Sequence, residues 1–214
     1  MATKAKISKT QRFYDRIADV HNIALRVNGY RKSVAKYLSS LDLEIDENSL
    51  VLDAGSGTGI VTFGFYSSKF RPKRTVTLDL SFNSLDVSRE QFRKDKRVES
   101  GKISAVQGNV LKLPFEDNTF DLILTCGVLE YVPLDSGLKE MSRVLKKGGK
   151  LVLIPIKPSL VGKVLEILYS FKKIPLKKLR RASKKHFNIV GDYKFPITEP
   201  MGWSKMIFLL EKKK

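Results

Sequence analysis

The sequence predicts an α/β domain: a doubly wound, mostly parallel seven-stranded sheet covered by helices on both faces, with an antiparallel strand at one edge. Three observations carry this. Short apolar runs of strand length alternate with stretches of helical spacing. A glycine-rich stretch, Asp53-x-Gly55-x-Gly57-x-Gly59, closes the first of those runs. The last two apolar runs have no helix between them, so they must pair antiparallel.

In chain order, residues 12–25 and 30–41 have helical spacing, with Val34, Tyr37, Leu38 and Leu41 on one face. Residues 49–55 form the first strand and 60–70 the helix after it. A second strand covers 75–80, and Ser81 caps the helix at 82–92. Strands three and four lie at 102–108 and 120–127. The helix at 134–147 stops at Gly148-Gly149, and the fifth strand covers 150–156. Residues 186–196 and 204–213 are the closing pair. We divide the chain into a helical cap (1–45), a ligand-binding core (46–156), a basic amphipathic insertion or lid (157–186) and closing strands (187–214).

With 214 residues the chain can bury a core without disulfides. Its single cysteine, Cys126, excludes an internal disulfide and a multi-cysteine zinc site, and fits a reducing, cytoplasmic setting; no metal is expected. The first fifteen residues are basic without a following apolar run, unlike a secretory signal, and no apolar stretch reaches bilayer length. Net charge is +18, distributed as +7 over residues 1–150 (25 Lys/Arg, 18 Asp/Glu) and +11 over residues 151–214 (15 against 4). A basic last third suits a nucleic acid, an anionic membrane surface or an acidic substrate, although a merely soluble lysine-rich surface has the same composition.

Three alternating glycines exceed what a turn needs and imply close approach to the backbone. They follow the first strand, at the carboxyl edge where doubly wound sheets bind ligands. The second strand ends in Asp79, whose carboxylate can accept both hydrogen bonds of a ribose diol. Asn109, after the third strand, both donates and accepts and can meet a base edge.

The stretches VLDAGSGTG, LDLS, GNVLKLPFEDNTFDLILTCGVLEYV and EMSRVLKKGGKLVLIPI, in this order over residues 48–156, resemble class I S-adenosylmethionine-dependent methyltransferases. The subgroup that makes ubiquinone and menaquinone is the most similar pattern, and FYDRIADVHN resembles its entry helix. The resemblance implies a Rossmann-like fold and S-adenosyl-L-methionine as cofactor. It implies that the loop from Gly55 through Ser56 and Gly57 to Gly59 packs on the methionyl part, and that Asp53 holds the ammonium end. Asp79 would bind the ribose, Leu80 would lie beside the adenine, Asn109 and Val110 would flank its edge, and Cys126 and Gly127 would line the floor below the sulfonium. Asn109 stands where the family often has aspartate, and Tyr131 where it often has histidine.

No residue is singled out as an established catalyst. Tyr131, Tyr14 and His21 are candidates: an aromatic face attracts a sulfonium, and histidine serves as a base, though each also suits ordinary packing. Cys126 reads as a small buried apolar residue. A methyl on a sulfonium is already activated, so alignment of the acceptor carries most of the catalysis.

The insertion should select the acceptor. Leu160, Val161, Val164, Leu165, Leu168 and Phe171 make an apolar stripe, and Leu176, Leu179 and Ser183 a narrower one among Lys177, Lys178, Arg180, Arg181, Lys184 and Lys185. Such helices fit a membrane interface and a lipid-like acceptor such as a quinone precursor; a lid packed on its own domain has the same pattern. Two other readings remain open. One is an RNA or protein methyltransferase, with Tyr169, Phe171 and Phe187 as stacking candidates, which makes nucleic acid the less favoured partner. The other is a non-enzymatic binding subunit with this fold.

Overall fold

In the computed structural model, residues 29–168, 171–196 and 198–213 are described. The predicted helix at 12–25, with Tyr14 and His21, lies outside them, as does Tyr169. The described residues form a seven-stranded sheet. Its strands are β1 (Leu50–Ala54), β2 (Arg74–Asp79), β3 (Ile103–Gln107), β4 (Phe120–Cys126), β5 (Leu145–Ile154), β6 (Phe187–Lys194) and β7 (Met206–Lys212). The helices are α1 (Tyr30–Ser40), α2 (Ile60–Tyr66), α3 (Phe82–Lys94), α4 (Leu134–Val144), α5 (Leu160–Leu168) and α6 (Leu176–Ser183).

Strand order is β3-β2-β1-β4-β5-β7-β6. The β1 to β5 strands pair in parallel, while β7 pairs antiparallel with both β5 and β6. The expected antiparallel edge is present, with β7 one place in and β6 outermost. The order reverses between β2 and β4, on either side of β1, which places a switch point at the carboxyl end of the strand that carries the glycine loop.

Alternation along the strands divides the core in two. Val51, Leu122, Leu124, Val152 and Ile154 face Tyr30, Val34 and Leu38 of α1 and Val61 and Phe65 of α2. Leu52, Ile123, Leu151 and Leu153 face Leu138 and Met141 of α4 and Leu179 and Ala182 of α6. Ser81 caps α3 as expected, its Oγ accepting from Ser84 N–H at 3.2 Å.

Two helix ends fall short of expectation, and the helix predicted to run to residue 70 ends at Tyr66. The helix predicted to run to residue 147 ends at Val144, and Leu145 already pairs with Phe120. Leu145 is fully buried beside the core, and the carbonyls of Arg143 and Val144 accept from Asn118 and Thr119 N–H. Burial of one leucine outweighs the helix preference of the lysines that follow.

Candidate cofactor and acceptor site

The loop leaving β1 is tied to the end of β2, with Gly55 and Ser56 N–H donating to the Leu78 carbonyl at 2.7 and 2.9 Å. Its glycines lie at φ 74°, 52° and 83° for Gly55, Gly57 and Gly59, a region that L side chains rarely adopt. Their surroundings differ. A β-carbon on Gly55 would lie 2.2 Å from a Val128 methyl, and one on Gly59 would lie 2.6 Å from the Phe92 ring. A β-carbon on Gly57 would meet nothing within 4 Å. Gly55 and Gly59 are thus explained by packing of the chain on itself. Of the three, Gly57 is the one whose added β-carbon meets no neighbour among the described residues.

Two carboxylates border the loop. Asp79, at the end of β2, accepts from Gly57 N–H through Oδ2 at 2.7 Å and from Ser81 N–H through Oδ1 at 2.9 Å. It therefore fixes the loop against the end of β2. Asp53, in β1, is only 1% exposed. Its Oδ2 accepts from the Thr62 hydroxyl of α2 at 2.6 Å, while Oδ1 is buried without a hydrogen-bond partner. Burial pushes the carboxyl up to about 7; the Thr62 hydrogen bonds oppose this shift and the charge of Asp79 adds to it. A buried acceptor with a missing donor is satisfied by a cationic or N–H group of a ligand.

Beyond Asp79, Leu80 and Phe82 present exposed apolar surface, and Val110 is buried in the adjoining loop. Asn109 is used locally: its Oδ1 accepts from Leu111 N–H at 2.9 Å, closing a turn, so only the rest of its amide is left to meet a base. Arg143 of α4 anchors this loop by donating to the Leu113 and Phe115 carbonyls at 3.0 and 2.8 Å and to Asp117 at 2.7 Å. Glu140 completes the anchor by accepting from Arg143 and from Leu113 N–H.

Cys126 and Gly127 end β4 on the other side of the loop. The Cys126 sulfur is 3.9 Å from the Tyr30 hydroxyl, and burial pushes its thiol up, with the Lys205 charge opposing. Burial likewise raises the Tyr30 hydroxyl well above its ordinary value. Tyr131 packs edge-on against Phe171 at 5.6 Å between ring centres. Tyr30, Glu130 and Lys205 were not expected at the site. Glu130 carried a signal, an acidic residue in the short apolar stretch that follows the fourth strand. Lys205 carried none, because only the return of β7 brings it here. Among the described residues no group of three or more His, Cys, Asp or Glu could hold a metal ion.

A mostly parallel sheet with a switch point, a glycine loop, one carboxylate at the end of β2 and a second with an unmet oxygen fit the class of nucleoside-binding α/β domains. A methyltransferase domain model matches residues 52–153. The ubiquinone/menaquinone biosynthesis C-methyltransferase UbiE of Rhizobium rhizogenes is 32% identical over 171 residues, covering 78% of this chain and 64% of that protein. Its counterpart from a Shewanella species is 40% identical over 129 residues, 58% of this chain and 50% of that protein. The fold matches a Haloferax volcanii complex of the Trm112 methyltransferase activator and a methyltransferase, with TM-score 0.77, 16% identity, and coverage of 94% of this chain and 98% of that one. It also matches geranyl diphosphate C-methyltransferase from Streptomyces coelicolor, with TM-score 0.71, 16% identity and coverage of 85% and 76%. The chain carries a methyltransferase domain over residues 52–153 and resembles the class I S-adenosylmethionine-dependent methyltransferases, the ubiquinone/menaquinone group among them. It spans 64% and 50% of the length of the two curated relatives described.

Proposed function

We propose that this protein transfers a methyl group from S-adenosylmethionine to a small, lipid-like acceptor, such as a quinone precursor, at or near a membrane surface in the cytoplasm. The observation that carries the reading is the pairing of Asp53, whose Oδ1 is buried without a donor, with the open face of Gly57. The cofactor supplies a methyl on a sulfonium, which needs alignment rather than further activation. In this reading Asp53 receives the ammonium end and Gly57 gives backbone access. Asp79 meets the ribose diol while holding Gly57 in place, and Leu80, Asn109 and Val110 border the base. Cys126 and Gly127 floor the reacting end. Tyr131 remains an aromatic neighbour on the acceptor side, held by Phe171.

The lipid-like acceptor is favoured by α5. Leu160 and Ile167 are 82% and 80% exposed, Val161 and Val164 are also exposed, and Trp203 lies exposed after β6. Residues 157–186 would then act as the lid and contact surface. No helix among the described residues is long and apolar enough to cross a membrane, so contact would be interfacial. The polynucleotide reading loses support because Phe171 and Phe187 are buried in the core and cannot stack on bases.

Calorimetry with S-adenosylhomocysteine, followed by transfer of labelled methyl into lipid, quinone and RNA fractions, tests the proposal. Micromolar binding, about −8 kcal/mol, with label in the lipid or quinone fraction is expected. No cofactor binding, or label confined to RNA or protein, overturns it.

A further inference from the structure

We infer that Lys205 and Glu130 form an acceptor subsite for an acidic hydroxyl, phenolic or enolic, in which Lys205 holds the oxyanion and Glu130 takes the proton. The inference rests on the methyltransferase reading of the neighbouring site and names the acceptor chemistry.

Glu130 is 8% exposed and Lys205 is 9% exposed. Glu130 spends Oε1 on Ile156 N–H at 2.7 Å, while Oε2 is buried without a partner. The same Ile156 makes a backbone bridge to Lys205, so one residue just past β5 holds both side chains at the carboxyl edge of the sheet. The Lys205 ammonium stands over the exit of β4, where a β-carbon on Gly127 would be 3.1 Å from it. Among the described residues Lys205 makes no ion pair with any carboxylate, Glu130 included. The groups that act electrostatically on Cys126 in the same place are Lys205, Tyr30, Glu130 and Asp53.

A buried carboxylate oxygen without a donor, next to a mostly buried lysine whose ammonium meets no carboxylate among the described residues, calls for a third group that satisfies both. The charges select that group. A carboxylate ligand would be repelled by Glu130, and an ammonium ligand by Lys205. An acidic hydroxyl meets both demands: its O–H bond breaks, the proton passes to Glu130 Oε2, and the remaining electron pair stays on oxygen beside the Lys205 ammonium. Proton and charge balance within the subsite, with no exchange with solvent. Gly127 fits this role, since any side chain there would press on the ammonium.

The test uses 4-nitrophenol as probe, added to the full chain saturated with S-adenosylhomocysteine. The bound probe is expected to show the phenolate absorbance band at a pH where the free probe is neutral, an apparent fall of at least one unit in its pKa. Calorimetric heats should be independent of the buffer's ionisation enthalpy, because the proton stays on Glu130. Lys205→Met should abolish the band and weaken binding at least tenfold, while Lys205→Arg keeps the band. Glu130→Gln should keep anion binding but make the heats buffer-dependent. 4-Nitroanisole, which has no acidic hydroxyl, should bind at least tenfold more weakly to the unaltered protein. Equal binding of the two probes, or a phenolate band unchanged in a Lys205→Met protein that still binds S-adenosylhomocysteine, overturns the inference alone. Failure to bind S-adenosylhomocysteine overturns the methyltransferase reading instead.

Discussion

At the scale of single residues, Asp53 has the clearest consequence. Its carboxyl titrates at about 7 in the fold against an ordinary 3.8, chiefly through burial. Between those values the folded protein holds a proton that the unfolded chain has released. The ligand-free fold therefore loses stability as pH rises through that window, by about 1.4 kcal/mol per pH unit. A cofactor ammonium beside Oδ1 favours the carboxylate, so affinity for S-adenosylhomocysteine should rise through pH 7 with release of a proton. Urea melts and calorimetry in two buffers check both, and Asp53→Asn should flatten both profiles. Identical pH profiles for the two proteins would remove Asp53 from the cofactor site. The glycines give a second contrast. Gly57→Ala should fold, at a cost of about 1–2 kcal/mol for its left-handed backbone, and should weaken cofactor binding more than tenfold. Gly59→Ala should lose stability more heavily, because its β-carbon would lie 2.6 Å from Phe92. A melting curve and a titration on each variant separate the roles.

At the scale of elements, the loop carrying Asn109 and Val110 has no regular structure of its own between β3 and β4, and α4 holds it. Arg143 reaches two of its carbonyls and Asp117 in one planar fork. Lysine cannot reproduce that fork. Arg143→Lys should lower stability by about 2 kcal/mol, at the scale of hydrogen bonds to a charged group, and weaken cofactor binding severalfold although the residue lies behind the loop. Unchanged affinity would mean that the loop needs no anchor. The two helices of the insertion also separate by function. Helix α6 buries Leu179, Ala182 and Ser183 on the domain, which is the packed-lid reading of its stripe. Its Arg180 is spent on Asp192 and on the Phe208 ring. Lys177, Lys178, Arg181 and Lys184 remain exposed, while α5 keeps its apolar side uncovered among the described residues.

At the scale of the whole molecule, the excess charge of the last third and the uncovered side of α5 together favour an anionic lipid surface. Each cation near such a surface contributes about 1 kcal/mol. Replacing Lys177, Lys178, Arg181 and Lys184 with glutamine should reduce sedimentation with phosphatidylserine-containing vesicles by more than tenfold, leaving cofactor affinity unchanged. Replacing Leu160 and Ile167 with serine should reduce it further. Retention of RNA but not vesicles at the same ionic strength would transfer the basic surface to a nucleic acid.

Much of this was legible in the chain itself. Alternation of apolar runs and the glycine loop that closes the first of them specify the parallel sheet and the edge where that loop leaves it, because hydrophobic period and turn chemistry act over a few residues. The order of those motifs also sufficed to resemble the right class. Other features required the tertiary fold. The division of labour among Gly55, Gly57 and Gly59 depends on Val128 and Phe92, which reach them from distant parts of the chain. The end of α4 was decided by burial of Leu145 rather than by the lysines and glycines after it. Tyr30, Glu130 and Lys205 come from three separate segments: packing of α1 on the sheet brings Tyr30 to Cys126, and the antiparallel return of β7 beside β5 brings Lys205. Local sequence determines which elements form; closure of the sheet alone brings an unpaired ammonium and an unpaired carboxylate oxygen to the same edge.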